Sequence, residues 1–149
     1  SDVCSSDLTG RCEEHAPLEG HELHRVMMEL HRLEYRDELR VPFVANEPCE
    51  RLGNGFHIRW DGAAFPCGGL QFAELLIGNV ADTSFNALFS LSPIMEDCRR
   101  VKGNISGSCA VCPERVQCTG CRAVAYSRTG DLMAADCGCW RAQDNSGEP

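Results

Sequence analysis

Cys109-Ala-Val-Cys112-Pro-Glu-Arg-Val-Gln-Cys118-Thr-Gly-Cys121 is the stretch that decides how this chain folds. It holds two Cys-x2-Cys pairs separated by five residues, and Cys139 follows. A Cys-x2-Cys turn lets two thiolates converge on one centre while backbone N–H groups point at the sulfurs and stabilise their charge. Three chemistries place cysteines this densely: structural zinc, iron–sulfur clusters and disulfides. A zinc ribbon separates its pairs by about 15–20 residues, whereas the gap here is five. Four such thiolates can still hold one zinc, but Cys139 and the upstream cysteines are then left over. Disulfides within adjacent Cys-x2-Cys pairs would close small, strained loops, which favours metal.

The spacing is nearest to that of bacterial ferredoxins, where three close cysteines hold one cluster and the fourth serves another. Spacing alone therefore ranks iron–sulfur first, zinc second and disulfides third. Outside the run lie Cys4, Cys12, Cys49, Cys67, Cys98 and Cys137. Ser1-Asp-Val-Cys4-Ser-Ser-Asp7-Leu8 reads as the translation of a sequencing-adapter oligonucleotide, not as a targeting signal. Setting it aside leaves ten cysteines, takes the net charge from −8 to −6, and predicts a chain cut at its N-terminus.

The 149 residues are too few for a whole (β/α)₈ barrel, which needs roughly 200 or more. Hydrophobic content of 43% suits a packed core. No run of about 18 apolar residues predicts a transmembrane helix. With 14 Lys+Arg against 22 Asp+Glu, neither nucleic acid nor an anionic membrane is expected as a partner.

Around the run, the periodicity predicts an α+β chain rich in loops. Leu23, Val26, Met27, Leu30 and Leu33 mark an amphipathic helix over 21–39. Residues 39–45 read as a strand, with Pro42 confining it to an edge. Phe56, Ile58 and Trp60 alternate with His57, Arg59 and Asp61, and Asp61-Gly62 offers a two-residue hairpin turn returning through residues 63–66. Gly78-Asn79-Val80 closes the next loop, Thr83 or Ser84 caps a short helix to about Leu91, and Ser92-Pro93 opens another that Gly103 stops. A brief helix over 122–127 ends near Gly130. Trp60, Phe65 and Trp140 are expected in the core, and Cys98 is expected as a buried thiol beside Ile94 and Val101. His21, His24 and His31 read as a solvated face, His57 as a residue near the upstream cysteines, and Cys137 as a bystander or substitute ligand.

The upstream pair narrows the choice. Cys49 is followed by twelve residues, Gly62, four residues and Cys67, so both cysteines sit at the hairpin's open end. A pair of this kind, a Cys-x2-Cys-x5-Cys-x3-Cys run and a final cysteine make up the signature of the SPASM domain, which the chain resembles over 47–141. Ile58-Arg-Trp-Asp-Gly62 before Pro66-Cys67, Gly78-Asn79-Val80, and Cys118-Thr-Gly-Cys-Arg-Ala123 leading to Tyr126 and Gly130-Asp131 match as well. SPASM domains are the C-terminal auxiliary-cluster modules of many radical S-adenosylmethionine enzymes. Residues 9–46 resemble the last loop, helix and strand of the preceding barrel, and 142–149 read as a polar tail.

Carried over residue by residue, the resemblance implies two 4Fe–4S sites. Cys109, Cys112, Cys118 and Cys139 would hold the distal cluster, and Cys49, Cys67 and Cys121 the proximal one. The run departs from the pattern by ending in x2 rather than x3, a variant associated with relatives acting in haem and quinone-cofactor biosynthesis. A further proximal ligand that some members carry six residues before the first cysteine is replaced by Phe43. The resemblance further implies a missing barrel that binds S-adenosylmethionine and makes the radical. It implies an electron donor such as ferredoxin or flavodoxin, a small-molecule or peptide substrate, and a reducing cytoplasm. A zinc-stabilised binding module without a redox role is the competing expectation.

Overall fold

The computed structural model describes residues 20–35 and 52–141. The proposed strand at 39–45, Cys12, Cys49, Phe43, the first eight residues and the tail lie outside the described residues.

Helix α1 spans Gly20–Tyr35, as the apolar periodicity predicts for its described part. His24 does not simply face water: its ring stacks on Trp140 with centroids 4.4 Å apart. This contact joins α1 to the end of the cysteine-rich segment.

The hairpin forms from β1 (His57–Ile58) and β2 (Ala63–Phe65), antiparallel, with His57 opposite Phe65 and Ile58 opposite Ala64. Its loop differs from the two-residue turn expected. Arg59 N–H donates to Ala63 O and Gly62 N–H to Arg59 O, so residues 60–62 form a three-residue loop. Gly62 takes the left-handed position, φ 84°, which this loop class requires. A Cβ there would lie 2.5 Å from Asn79 Oδ1, so glycine is needed for space as well. Trp60 is lifted to the tip of the longer loop and is 94% exposed, not in the core; Phe65 is buried as expected.

Gly78–Asn79 is more than a loop closure. It forms β3, pairing antiparallel with β2 and making a three-stranded sheet ordered β1-β2-β3. Asn79 Nδ2 donates to Asp61 O, which ties the third strand to the hairpin loop. As the central strand, β2 is buried along its whole length.

Helix α2 (Phe85–Phe89) starts at Ser84, whose hydroxyl accepts from Ala87 N–H. Helix α3 (Pro93–Asn104) starts at Ser92, which accepts from Met95 N–H, with proline in the first turn. α3 runs through Gly103 to Asn104 rather than stopping there, because a glycine in a solvent-facing last turn costs only about 1 kcal/mol. Its inward face carries Met95, Cys98 and Val101. Leu70, Leu75, Cys98 and Leu132 form a buried cluster with Cys67, Ala123 and Tyr126 packed around it. Next come α4 (Gly107–Val111), a 3₁₀ turn over Pro113–Val116, and α5 (Arg122–Thr129). Gly130, φ 71°, closes α5 in the left-handed conformation, as its position predicts. The chain is thus α+β, with a small antiparallel sheet, short helices and long loops. Among the described residues no helix is long and apolar enough to cross a membrane.

Candidate metal centre

Short turns gather the cysteines of the dense run. Cys109 sits on α4, and Cys112 ends that helix with its N–H donating to Cys109 O. Pro113 at once opens the 3₁₀ turn, and Cys118 N–H closes it on Glu114 O at 2.8 Å. Gly120, φ 67°, then folds the backbone so that its N–H donates to Cys118 Sγ at 3.3 Å. Cys121 follows as the N-cap of α5, its thiol making no capping bond.

Burial pushes the Cys118 thiol up, and nearby Cys109, Cys112 and Asp136 push it further, against the pull of the Gly120 N–H. The three sulfurs therefore share one electrostatic neighbourhood. Negative charge there is resisted while no cation is present, and a bound metal reverses that balance. The donor set fits an iron–sulfur group: three neighbouring thiols, two of them already accepting backbone N–H groups. Among the described residues, no three His, Cys, Asp or Glu side chains close tightly enough to hold a single metal ion. No disulfide joins any two of the eight described cysteines.

Cys139 reaches this neighbourhood through Asp136, a residue the sequence reading passed over. Asp136 is 2% exposed. Its N–H donates to Cys109 Sγ at 3.4 Å, and its C=O accepts from Cys139 N–H at 3.2 Å. Its carboxylate accepts from Cys121 N–H at 2.7 Å and from Gly138 N–H at 3.0 Å. One buried side chain and its peptide groups thus touch three of the proposed ligands. An acid three residues before a candidate ligand, in a segment with little apolar cover, was the available signal. Ser106 fixes the other side, its N–H and hydroxyl both donating to Met133 O.

Cys67 leaves β2 beside the buried cluster. Gly69 explains how its loop approaches Cys121: a Cβ there would fall 2.7 Å from Ala123 Cβ, on the first turn of α5. Glycine lets the loops bearing Cys67 and Cys121 pack in contact. His57 is nearby, its Nδ1 3.8 Å from where a Gly68 Cβ would be. Cys98 is 3% exposed and interacts electrostatically with Cys67; burial first, and that neighbour second, push its thiol up to about 11. Cys137 is exposed. Cys49 lies outside the described residues; the structure puts Cys109, Cys112 and Cys118 in one neighbourhood, ties Cys121 and Cys139 to it through Asp136, and packs Cys67 against the buried cluster with Ala123.

Residues 49–113 match the SPASM family, described as an iron–sulfur cluster-binding domain. Two curated relatives carry the name AdoMet-dependent heme synthase. The protein from Methanosarcina barkeri is 31% identical over 88 residues, which is 58% of this chain and 24% of the relative. The protein from Nitratidesulfovibrio vulgaris is 36% identical over 85 residues, 56% of this chain and 22% of the relative. The chain thus spans about a quarter of the length of the relatives it matches. No solved structure matches it.

Proposed function

We propose that this chain, whose residues 49–113 carry a SPASM iron–sulfur cluster-binding domain, is the auxiliary-cluster part of a radical S-adenosylmethionine enzyme of cofactor biosynthesis. The names of the two relatives support that class. The observation that carries the proposal is the gathering of Cys109, Cys112 and Cys118 on successive tight turns, with backbone N–H groups donating to two of the sulfurs. In this reading Cys109, Cys112, Cys118 and Cys139 hold one 4Fe–4S cluster, and Cys49, Cys67 and Cys121 hold a second. Residues 9–46 finish a barrel whose upstream part binds S-adenosylmethionine. The working compartment is a reducing cytoplasm, and a ferredoxin or flavodoxin supplies electrons.

When bound, such clusters store and pass single electrons at a potential set by hydrogen bonds, charge and exposure. The chain's own residues do the rest. Gly120 and Asp136 aim N–H groups at the sulfurs, the Asp136 carboxylate holds the Cys121 backbone, and Gly69 lets the two ligand-bearing loops meet. Anaerobic reconstitution of Cys112→Ala tests the partition. One cluster's worth of iron and sulfide should be lost while the second remains. Loss of both, or of neither, contradicts the assignment.

A further inference from the structure

Arg122 follows Cys121 directly and is 3% exposed. A guanidinium removed from water is stable only when its donors are met and its charge is balanced. One end is met: Nη1 donates to Leu132 O at 2.9 Å and to Ala134 O. The other end is not, because Nε and Nη2 are buried without a hydrogen-bond partner. Their position is informative. Nη2 lies 2.7 Å from the point a Cβ on Gly120 would occupy, inside the Cys118–Cys121 turn. Asp136 flanks the same glycine, its carboxylate engaged by Cys121 N–H and Gly138 N–H. An arginine only donates, so whatever meets Nε and Nη2 must be an acceptor, preferably anionic. Around this turn the groups of that kind are the Asp136 carboxylate, each of whose oxygens already accepts a backbone N–H, and the sulfurs of Cys118 and Cys121 with whatever they bind.

We infer that Arg122 is a positioning residue that donates its unused N–H groups to sulfur of a cluster held beside the Cys118–Cys121 turn, and thereby raises that cluster's reduction potential. The inference rests on the cluster reading given above. Reduction adds negative charge to a cluster, and a fixed cation donating to its sulfur stabilises that form more than the oxidised one. Nη1 meanwhile fastens the 132–134 segment, so the side chain is held in place without drawing on Nη2, which lies at the turn.

The test uses the chain labelled with ¹⁵N-arginine, reconstituted anaerobically with iron and sulfide and reduced with dithionite. Pulsed EPR should show a ¹⁵N coupling to the reduced cluster, and Arg122→Lys should abolish it with iron and sulfide content unchanged. In Arg122→Gln the ratio of reduced to oxidised cluster at a fixed ambient potential should fall about tenfold, equivalent to about 59 mV for one electron. Arg122→Lys, which keeps the charge, should recover most of that loss. Absence of any ¹⁵N coupling in the parent overturns the inference, as does a fully loaded Arg122→Gln with an unchanged potential. If Arg122→Gln does not fold, the labelled parent alone decides. A parent chain that takes up no iron and sulfide refutes the cluster reading itself, a different result from a loaded chain without coupling.

Discussion

At the scale of single residues, Asp136 does the most for the site. It is buried, and its carboxylate is the acceptor for two backbone N–H groups, those of Cys121 and Gly138. Asp136→Ala strands both donors, and each stranded buried donor costs about 1–3 kcal/mol. Chemical denaturation should therefore show a loss of roughly 3 kcal/mol, together with reduced iron uptake. Asp136→Asn keeps one acceptor and should lose about half as much. Equal stability of Asp136→Ala and the parent would show that the carboxylate does not hold Cys121. Cys98 offers a pH signature in the metal-free, reduced chain. Burial raises its folded-state value to about 11 from an ordinary 9.0. Below pH 9 the thiol is protonated folded or unfolded and contributes no pH dependence. As pH rises from 9 towards 11 the unfolded chain loses the proton first, so stability falls across that window. Denaturation midpoints should drop there, and Cys98→Ala should flatten the drop while lowering stability at every pH by leaving a cavity.

At the scale of elements, the ligand loops are positioned by helix ends and glycines more than by the sheet. α4 stops at Cys112 because Pro113 follows, and α5 starts at Cys121 after the left-handed Gly120. Gly69 against Ala123 makes a close approach between the Cys67 loop and α5, beside the Phe72–Tyr126 ring contact. Gly69→Val should push those loops apart. It should lose the iron and sulfide assigned to Cys67 and Cys121 while sparing the site at Cys109, Cys112 and Cys118. An unaltered metal content would contradict that placement. Ser92→Ala removes the cap of α3 and should cost about 1 kcal/mol in thermal or chemical unfolding without changing metal content. Element boundaries show what local sequence carries. Serine caps, proline at a first turn and glycine at a helix end are local signals, and they place α2, α3 and α5 closely. The hairpin loop and β3 depend on partners distant in sequence. The Gly62 turn is set by Asn79, eighteen residues beyond the Asp61 carbonyl that Asn79 contacts. No local pattern around Asp61-Gly62 specifies that contact, so a two-residue turn was expected where a three-residue loop forms.

At the scale of the whole molecule, a small sheet and one buried cluster support a long cysteine-bearing segment that has little apolar cover of its own. Ala125 and Leu132 are its buried hydrophobic residues. Ligand binding at such sites contributes directly to folding. The chain loaded with iron and sulfide should therefore unfold at a clearly higher temperature than the metal-free chain. It should also show stronger amide protection between Ser106 and Trp140. Equal protection in the two states would mean that the segment orders itself. Thiol spacing is a local code, so the dense run offers its candidate ligands without the fold. The residues that hold those ligands were not legible in the same way. Asp136 has only its spacing from Cys139 to mark it and Arg122 nothing local; burial and bonding partners reveal both. Trp60 shows the converse, a large aromatic expected inside that the longer loop carries out to solvent. The most direct test of the central claim is anaerobic reconstitution of the whole chain with iron and sulfide offered beside zinc, followed by metal and sulfide analysis and EPR of the reduced sample. The account predicts a brown protein with iron and sulfide in equal amounts and the EPR signal of reduced 4Fe–4S clusters. A colourless protein carrying stoichiometric zinc and no sulfide would contradict it.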